Sequence, residues 1–88
     1  MTPADLLDPS ATISAPPPGA VNVRVGRAVE GPGGRWVPCA TAIPGGRFVP
    51  GLFQVGPGRH QVCRLDLPLA SANEALVRAV DLATAAAA

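Results

Sequence analysis

The sequence predicts an α+β fold: a three- to four-stranded antiparallel β-meander with one C-terminal α-helix packed on one face, preceded by an extended Pro-rich N-terminal arm. Three observations lead there. From Val21 onward, apolar residues alternate with the two-residue period of half-buried strands. Glycine- and proline-rich breaks recur at Gly31-Pro32-Gly33-Gly34, Pro44-Gly45-Gly46 and Gly56-Pro57-Gly58, and such breaks are hairpin signals. Finally, Leu65 to Ala88 runs through Pro68 into the only helical pattern long enough to cover a sheet.

Residues 1–20 contain Pro3, Pro9 and the run Pro16-Pro17-Pro18-Gly19, which reads as an extended arm, polyproline-like at its end. Ala4 to Leu7 can form one helical turn, capped by Thr2 with Pro3 at the first helical position. The domain proper spans 21–88. Its first strand sets Val21, Val23 and Val25 against Asn22 and Arg24, and Gly26 marks a bulge. A second strand, Arg35 to Ile43, sets Val37, Cys39, Thr41 and Ile43 against Trp36, Pro38 and Ala40. The third, Arg47 to Val55, sets Val49, Gly51, Phe53 and Val55 against Phe48, Pro50, Leu52 and Gln54. A fourth runs from Arg59 to about Leu67, with Cys63, Leu65 and Leu67 facing one way. Pro38 and Pro50 cannot donate in a ladder, so each must turn its missing donor away from a partner or sit at a bulge.

Arg35, Arg47 and Arg59 each follow a glycine-rich turn at twelve-residue spacing, and each precedes a ring: Trp36, Phe48, His60. One strand plus one hairpin loop accounts for that period. In the helix, Ser71 and Glu74 form a capping box, the serine oxygen accepting from the Glu74 backbone N–H. At 100° per residue, Ala72, Ala75, Leu76, Ala79, Val80, Leu82 and Ala83 share one side, while Asn73, Glu74, Arg78, Asp81 and Thr84 share the other. Glu74 and Arg78 stand four apart in the favourable order.

Eighty-eight residues make one domain with a thin core, and 21 of them are proline or glycine. A pocket for catalysis needs volume that such a core cannot easily spare, so composition favours a binding or assembly module over an enzyme. All seven basic residues are arginine, and six lie between positions 24 and 64, where Glu30 is the only acid. That stretch carries a net +5 inside a chain of net +1, an asymmetry that suits an anionic partner, although charges that simply solvate strand ends account for it more readily. The amino terminus lacks the pattern of a secretory signal, and no apolar run approaches a membrane span. The expectation is a cytoplasmic protein of a bacterial or phage-infected cell, or part of an assembled particle. Cys39 and Cys63 read as small buried hydrophobes, with a disulfide as the alternative in an oxidising setting or an assembled particle; with one histidine in the chain they do not make a zinc set.

The strand assignment puts Val21, Val23, Val37, Cys39, Ile43, Val49, Phe53, Val55, Leu65 and Leu67 under the helix. It leaves Arg24, Trp36, Phe48, Leu52, His60, Val62 and Arg64 on an uncovered face, and all of these but Val62 make the candidate partner-binding set. Exposed apolar patches of that kind mark protein contacts, so the first reading is a protein partner or homo-oligomer docked through this face and the arm, as in a phage or mobile-element particle component or an inhibitor of a host system. The alternative is nucleic-acid binding, with guanidinium groups on phosphates and rings stacked on bases. No catalytic set, cofactor or metal is expected: His60 has no Ser or Asp partner that the spacing reveals, and no glycine turn ends in the Gly-Lys-Ser/Thr of a phosphate loop.

From Arg35 to Ala83, three strands followed by a helix opening on Leu69-Ala-Ser-Ala-Asn-Glu-Ala-Leu76 resemble the small sheet-and-helix DNA-binding domains at the amino terminus of phage integrases. The resemblance implies a sheet that enters the major groove. The proline-rich loops, the absence of lysine and the lower basic density depart from that pattern, and no functional residue is carried over.

Overall fold

The computed structural model describes residues 13–55 and 61–88. Residues 1–12 of the expected arm, with the turn at Ala4 to Leu7, lie outside the described residues, as do Gly56-Pro57-Gly58, Arg59 and His60. The fold is α+β. Its antiparallel sheet comprises β1 (Ile13–Ser14), β2 (Val21–Val25), β3 (Val29–Gly31), β4 (Gly34–Ile43), β5 (Arg47–Gln54) and β6 (Gln61–Arg64), followed by one helix, α1 (Ala72–Ala87). The strand order is β1-β6-β5-β4-β2, with β3 also on β4. The expected four-stranded meander is the run β2-β4-β5-β6 of this sheet, to which β3, on β4, and β1, on β6, are additions. The last strand is shorter than expected: it ends at Arg64, and Leu65 and Asp66 form a turn.

The two prolines explain where neighbouring strands break. The Pro38 carbonyl accepts from the Gly26 N–H at 2.9 Å, so its missing donor also points toward the β2–β3 side. There the chain leaves the ladder at residues 26–28, between the Val25↔Cys39 and Val29↔Trp36 pairs. Pro50 lies on the parity that faces β6. It meets the excursion between the Gly51↔Cys63 pair and the Phe48–Leu69 bridge, where Phe48 and Leu69 exchange hydrogen bonds of 3.0 and 2.7 Å. A proline in each central strand is tolerated because no donor is demanded there.

Alternation along β2 is broken by a register shift between Asn22 and Arg24. Val21 and Arg24 therefore lie opposite Ala42 and Ala40, while Asn22 and Val25 lie opposite Thr41 and Cys39. The expectation that Val21, Val23 and Val25 share one face is corrected. A bulge adds one residue and flips every side chain beyond it.

The larger correction concerns which face the helix covers. Trp36 and Leu52 form the core with Ala83, Ala86 and Ala87, and Val29, Val62 and Leu82 pack around them. Across β4 and β5, Trp36, Pro38, Ala40 and Ala42 stand opposite Gln54, Leu52, Pro50 and Phe48, and this is the face beneath α1. Size decides the matter. The alanines at 75, 79 and 83 are fully buried and let the helix approach closely, so the bulk between helix and sheet has to come from sheet residues such as the indole and Leu52.

The opposite face carries Val37, Cys39, Thr41, Val49, Gly51, Phe53 and Cys63, and it curls inward. Asn22 on β2 and Gln61 on β6 exchange side-chain hydrogen bonds of 3.0 and 2.8 Å. In a flat sheet these strands are three spacings apart, about 14 Å, too far for two amides to touch. The concave interior is tight, and Cys39, Thr41, Val49, Gly51 and Cys63 are all buried.

Helix α1 is fixed at both ends. At its start the Ser71 oxygen accepts from the Glu74 N–H at 3.1 Å, the expected cap. At its end the Gly33 N–H, in the tight β3–β4 turn, donates to the Ala87 carbonyl at 2.9 Å, satisfying one of the last-turn acceptors. A methyl group on Gly31 or Gly33 would collide with the Ala87 or Ala86 carbonyl oxygen. The indole N–H of Trp36 donates to the Gly33 carbonyl at 3.1 Å, tying turn, helix end and core ring together.

Candidate functional site

The six residues singled out from the sequence are not brought together on one open face. Trp36 and Leu52 are 6% and 1% exposed and lie under α1, which corrects the expectation of an uncovered aromatic face. Phe48 is half-buried on the same side, locked to Leu69 through the backbone bridge. Arg64 forms a two-pronged pair with Asp66, Nε to Oδ1 at 2.9 Å and Nη2 to Oδ2 at 2.6 Å. The hydrogen bonds from Arg64 hold the Asp66 carboxyl below the usual carboxylate range. Arg24 is exposed on β2, and His60 lies outside the described residues.

Two other features emerge. The first is the outer strand β2, whose five residues are all exposed, with Val21, Val23 and Val25 at 59%, 46% and 57%. Nothing lies beyond β2 among the described residues, so part of its backbone is unpaired. On the helix, Val77 and Val80 are exposed as well. Val77 borders a shallow surface hollow with Leu69, Glu74 and Arg78.

The second feature is the thiol and amide cluster inside the concave face. Register places Cys39, Gly51 and Cys63 side by side on β4, β5 and β6. Each sulfur lies 3.8 Å from Thr41 Oγ1. That hydroxyl donates to Asn22 Oδ1 at 2.9 Å and accepts from Gln61 Nε2 at 3.2 Å. Gln61 Nε2 also points at Cys39 Sγ and Cys63 Sγ, at 3.7 and 3.8 Å. Burial pushes the Cys39 thiol up to about 11 and raises Cys63 too, opposed in both by the contact with Thr41. Both cysteines are free thiols, and ionisation is disfavoured where water is excluded.

The signal for this cluster was present in the sequence as three small residues, Cys39, Gly51 and Cys63, at facing positions of consecutive strands. Adding a Cβ at Gly51 would place it 2.8 Å from Cys39 Sγ and 3.0 Å from Thr41 Oγ1, so the glycine makes room for its neighbours' heads. Among the described residues, no group of three or more His, Cys, Asp and Glu side chains is arranged to hold a metal ion. None of the described helices is long and apolar enough to cross a membrane.

Comparison with protein-family models, curated proteins and solved structures finds no match to this chain. The side of the sheet away from α1 is a tight interior of buried apolar, thiol and hydroxyl groups.

Proposed function

We propose that this chain is a non-enzymatic interaction module that pairs with a second copy of itself along β2. The observation that carries the reading is the run of three exposed valines on an outermost strand. Isolated exposed hydrophobes are ordinary, but a valine-rich edge with open backbone groups is a template for strand addition. A second copy fits it by symmetry. Two β2 edges related by a two-fold axis pair antiparallel, and each chain brings the same three exposed valines to the seam.

Five residues of edge pairing bury less than a standard interface, so association is weak and concentration-dependent. The bulge between Asn22 and Arg24 limits how far the ladder can extend. Sedimentation equilibrium from low to high micromolar concentration tests the reading. A monomer–dimer equilibrium that Val23→Lys shifts fully to monomer supports it. A wild-type chain that stays monomeric throughout the range, or a dimer indifferent to Val23→Lys, counts against it.

The nucleic-acid alternative keeps its charge, since Arg24, Arg27, Arg35 and Arg47 are exposed, but loses its stacking ring with Trp36 buried. Its mark would be binding to single strands that falls steeply with salt and weakens in Arg24→Ala.

A further inference from the structure

We propose that Cys39 and Cys63 form a two-coordinate site for a soft monovalent d10 metal ion, Cu(I) or Ag(I), held between the two sulfurs above Gly51. The inference rests on the concave cluster and is independent of pairing along β2.

The first argument is distance. The cysteines flank Gly51 with one whole strand between them, so their Cα atoms lie about two strand spacings apart, near 9.5 Å in a flat sheet and somewhat less in this curled one. A disulfide needs Cα atoms within about 7 Å, and β5 stands in the way. The sulfurs are closer than the backbones. They lie 2.8 and 3.5 Å from the point where a Gly51 Cβ would sit, so they are separated by at most 2.8 + 3.5 = 6.3 Å. Two metal–thiolate bonds of about 2.3 Å span about 4.6 Å end to end. A bridging ion can be reached by small side-chain rotations, whereas a direct bond demands movement of the backbone.

The second argument is the donor set. Two thiolates with no third ligand do not satisfy zinc, which takes four ligands, but soft sulfur donors select Cu(I). Gln61 Nε2 points at both sulfurs, where its N–H groups can share the excess negative charge of a bis-thiolate ion, as outer-shell partners do in metal sites; the Thr41 hydroxyl, which gives its proton to Asn22 Oδ1, has to turn before it can do the same. Over Gly51, the one position of β5 in this layer without a side chain, the two sulfurs and Thr41 Oγ1 are the nearest heavy atoms. Binding replaces the two thiol protons, which are released to solvent. No electrons are transferred.

The route in lies past Gln61, which is half-buried, and the exposed hydrogen bonds that join it to Asn22. Opening that pair uncovers the sulfurs without disturbing α1.

Cu(I) titration of the full chain against a chromophoric Cu(I) chelator, under reducing and anaerobic conditions, is the test. The expected result is one ion per chain, lost in both Cys39→Ser and Cys63→Ser, with X-ray absorption showing two sulfur neighbours. Gly51→Ala, which crowds the ion, should weaken binding at least tenfold while Trp36 emission stays native. The X-ray absorption of the wild-type complex keeps the test decisive if a serine variant does not fold. No binding in competition with the chelator overturns the proposal. So does one ion shared between two chains, equal binding by a single-cysteine variant, or a ready intramolecular disulfide under a mild oxidant such as diamide.

Discussion

Gly33→Ala separates a docked helix from an undocked one by the sign of its effect. The Gly33 backbone does not occupy the left-handed region, so in a free hairpin the alanine would stabilise by about 0.4–1 kcal/mol through the unfolded chain. Docking reverses this. The added methyl meets the Ala86 carbonyl oxygen, and the turn has to move away from the helix end. That movement breaks the Gly33–Ala87 hydrogen bond, worth about 0.5–1.5 kcal/mol. It also re-exposes apolar surface of Ala86, Ala87 and Trp36, where about 50 Å² at 25 cal/mol/Å² adds about 1.3 kcal/mol. The expected net loss is about 1–2.5 kcal/mol, which for a domain of this size lowers Tm by roughly 4–20 °C. Urea and thermal unfolding followed by the single tryptophan measure it. An unchanged or raised Tm would falsify the placement of the helix end against the β3–β4 turn.

Further expectations concern the two faces of the sheet. Leu52→Ala, at a position 1% exposed in the core, should cost about 2–5 kcal/mol, read from the urea midpoint; a cost under 1 kcal/mol would contradict its burial. Thr41→Val keeps shape but removes the hydroxyl that links Asn22, Gln61 and both sulfurs, so it should cost about 1–3 kcal/mol and speed amide exchange in β2 and β6 before β5. Alkaline pH isolates the thiols, because the chain contains neither lysine nor tyrosine. The Cys39 thiol is raised in the fold to about 11 from 9.0, so its contribution is fully present below pH 9 and is lost as pH climbs toward 11. About two pKa units at 1.36 kcal/mol each make this about 2–3 kcal/mol. The difference between the unfolding free energies at pH 8 and pH 11 should shrink in Cys39→Ala, with Cys63, also raised by burial, accounting for what is left; an equally steep alkaline fall in that variant would sink the assignment.

Much of the fold was legible from residue pattern. The capped helix, the hairpin breaks and the meander at the centre of the sheet follow from Ser71-x-x-Glu74, from glycine turns and from alternation, all local signals. Within β4 and β5 the residues sharing a face were also readable, since Val37, Cys39 and Thr41 do stand apart from Trp36, Pro38 and Ala40. What pattern did not settle was which set the helix covers, because both are apolar. Curvature settles it. A sheet curled enough to join Asn22 to Gln61 leaves room at its centre only for small groups such as Cys39, Thr41, Gly51 and Cys63, and its bulky Trp36 and Leu52 pack outward against alanines. The bulge in β2 was illegible for a related reason: one inserted residue leaves the composition unchanged and only the pairing partner reveals it. The first candidate site was lost with the inverted faces. The thiol cluster was missed because Cys39, Gly51 and Cys63 become neighbours only once strand register is known.

The account depends on the alanine stripe of the helix lying over the indole. Nuclear Overhauser contacts between the Trp36 ring protons and the methyl groups of Ala83, Ala86 and Ala87, in a dilute monomeric sample, are the direct measurement. All three are expected, together with contacts to Leu52. A ring whose contacts run instead to Cys39 and Thr41, or to no helix residue, would contradict the arrangement of the two faces.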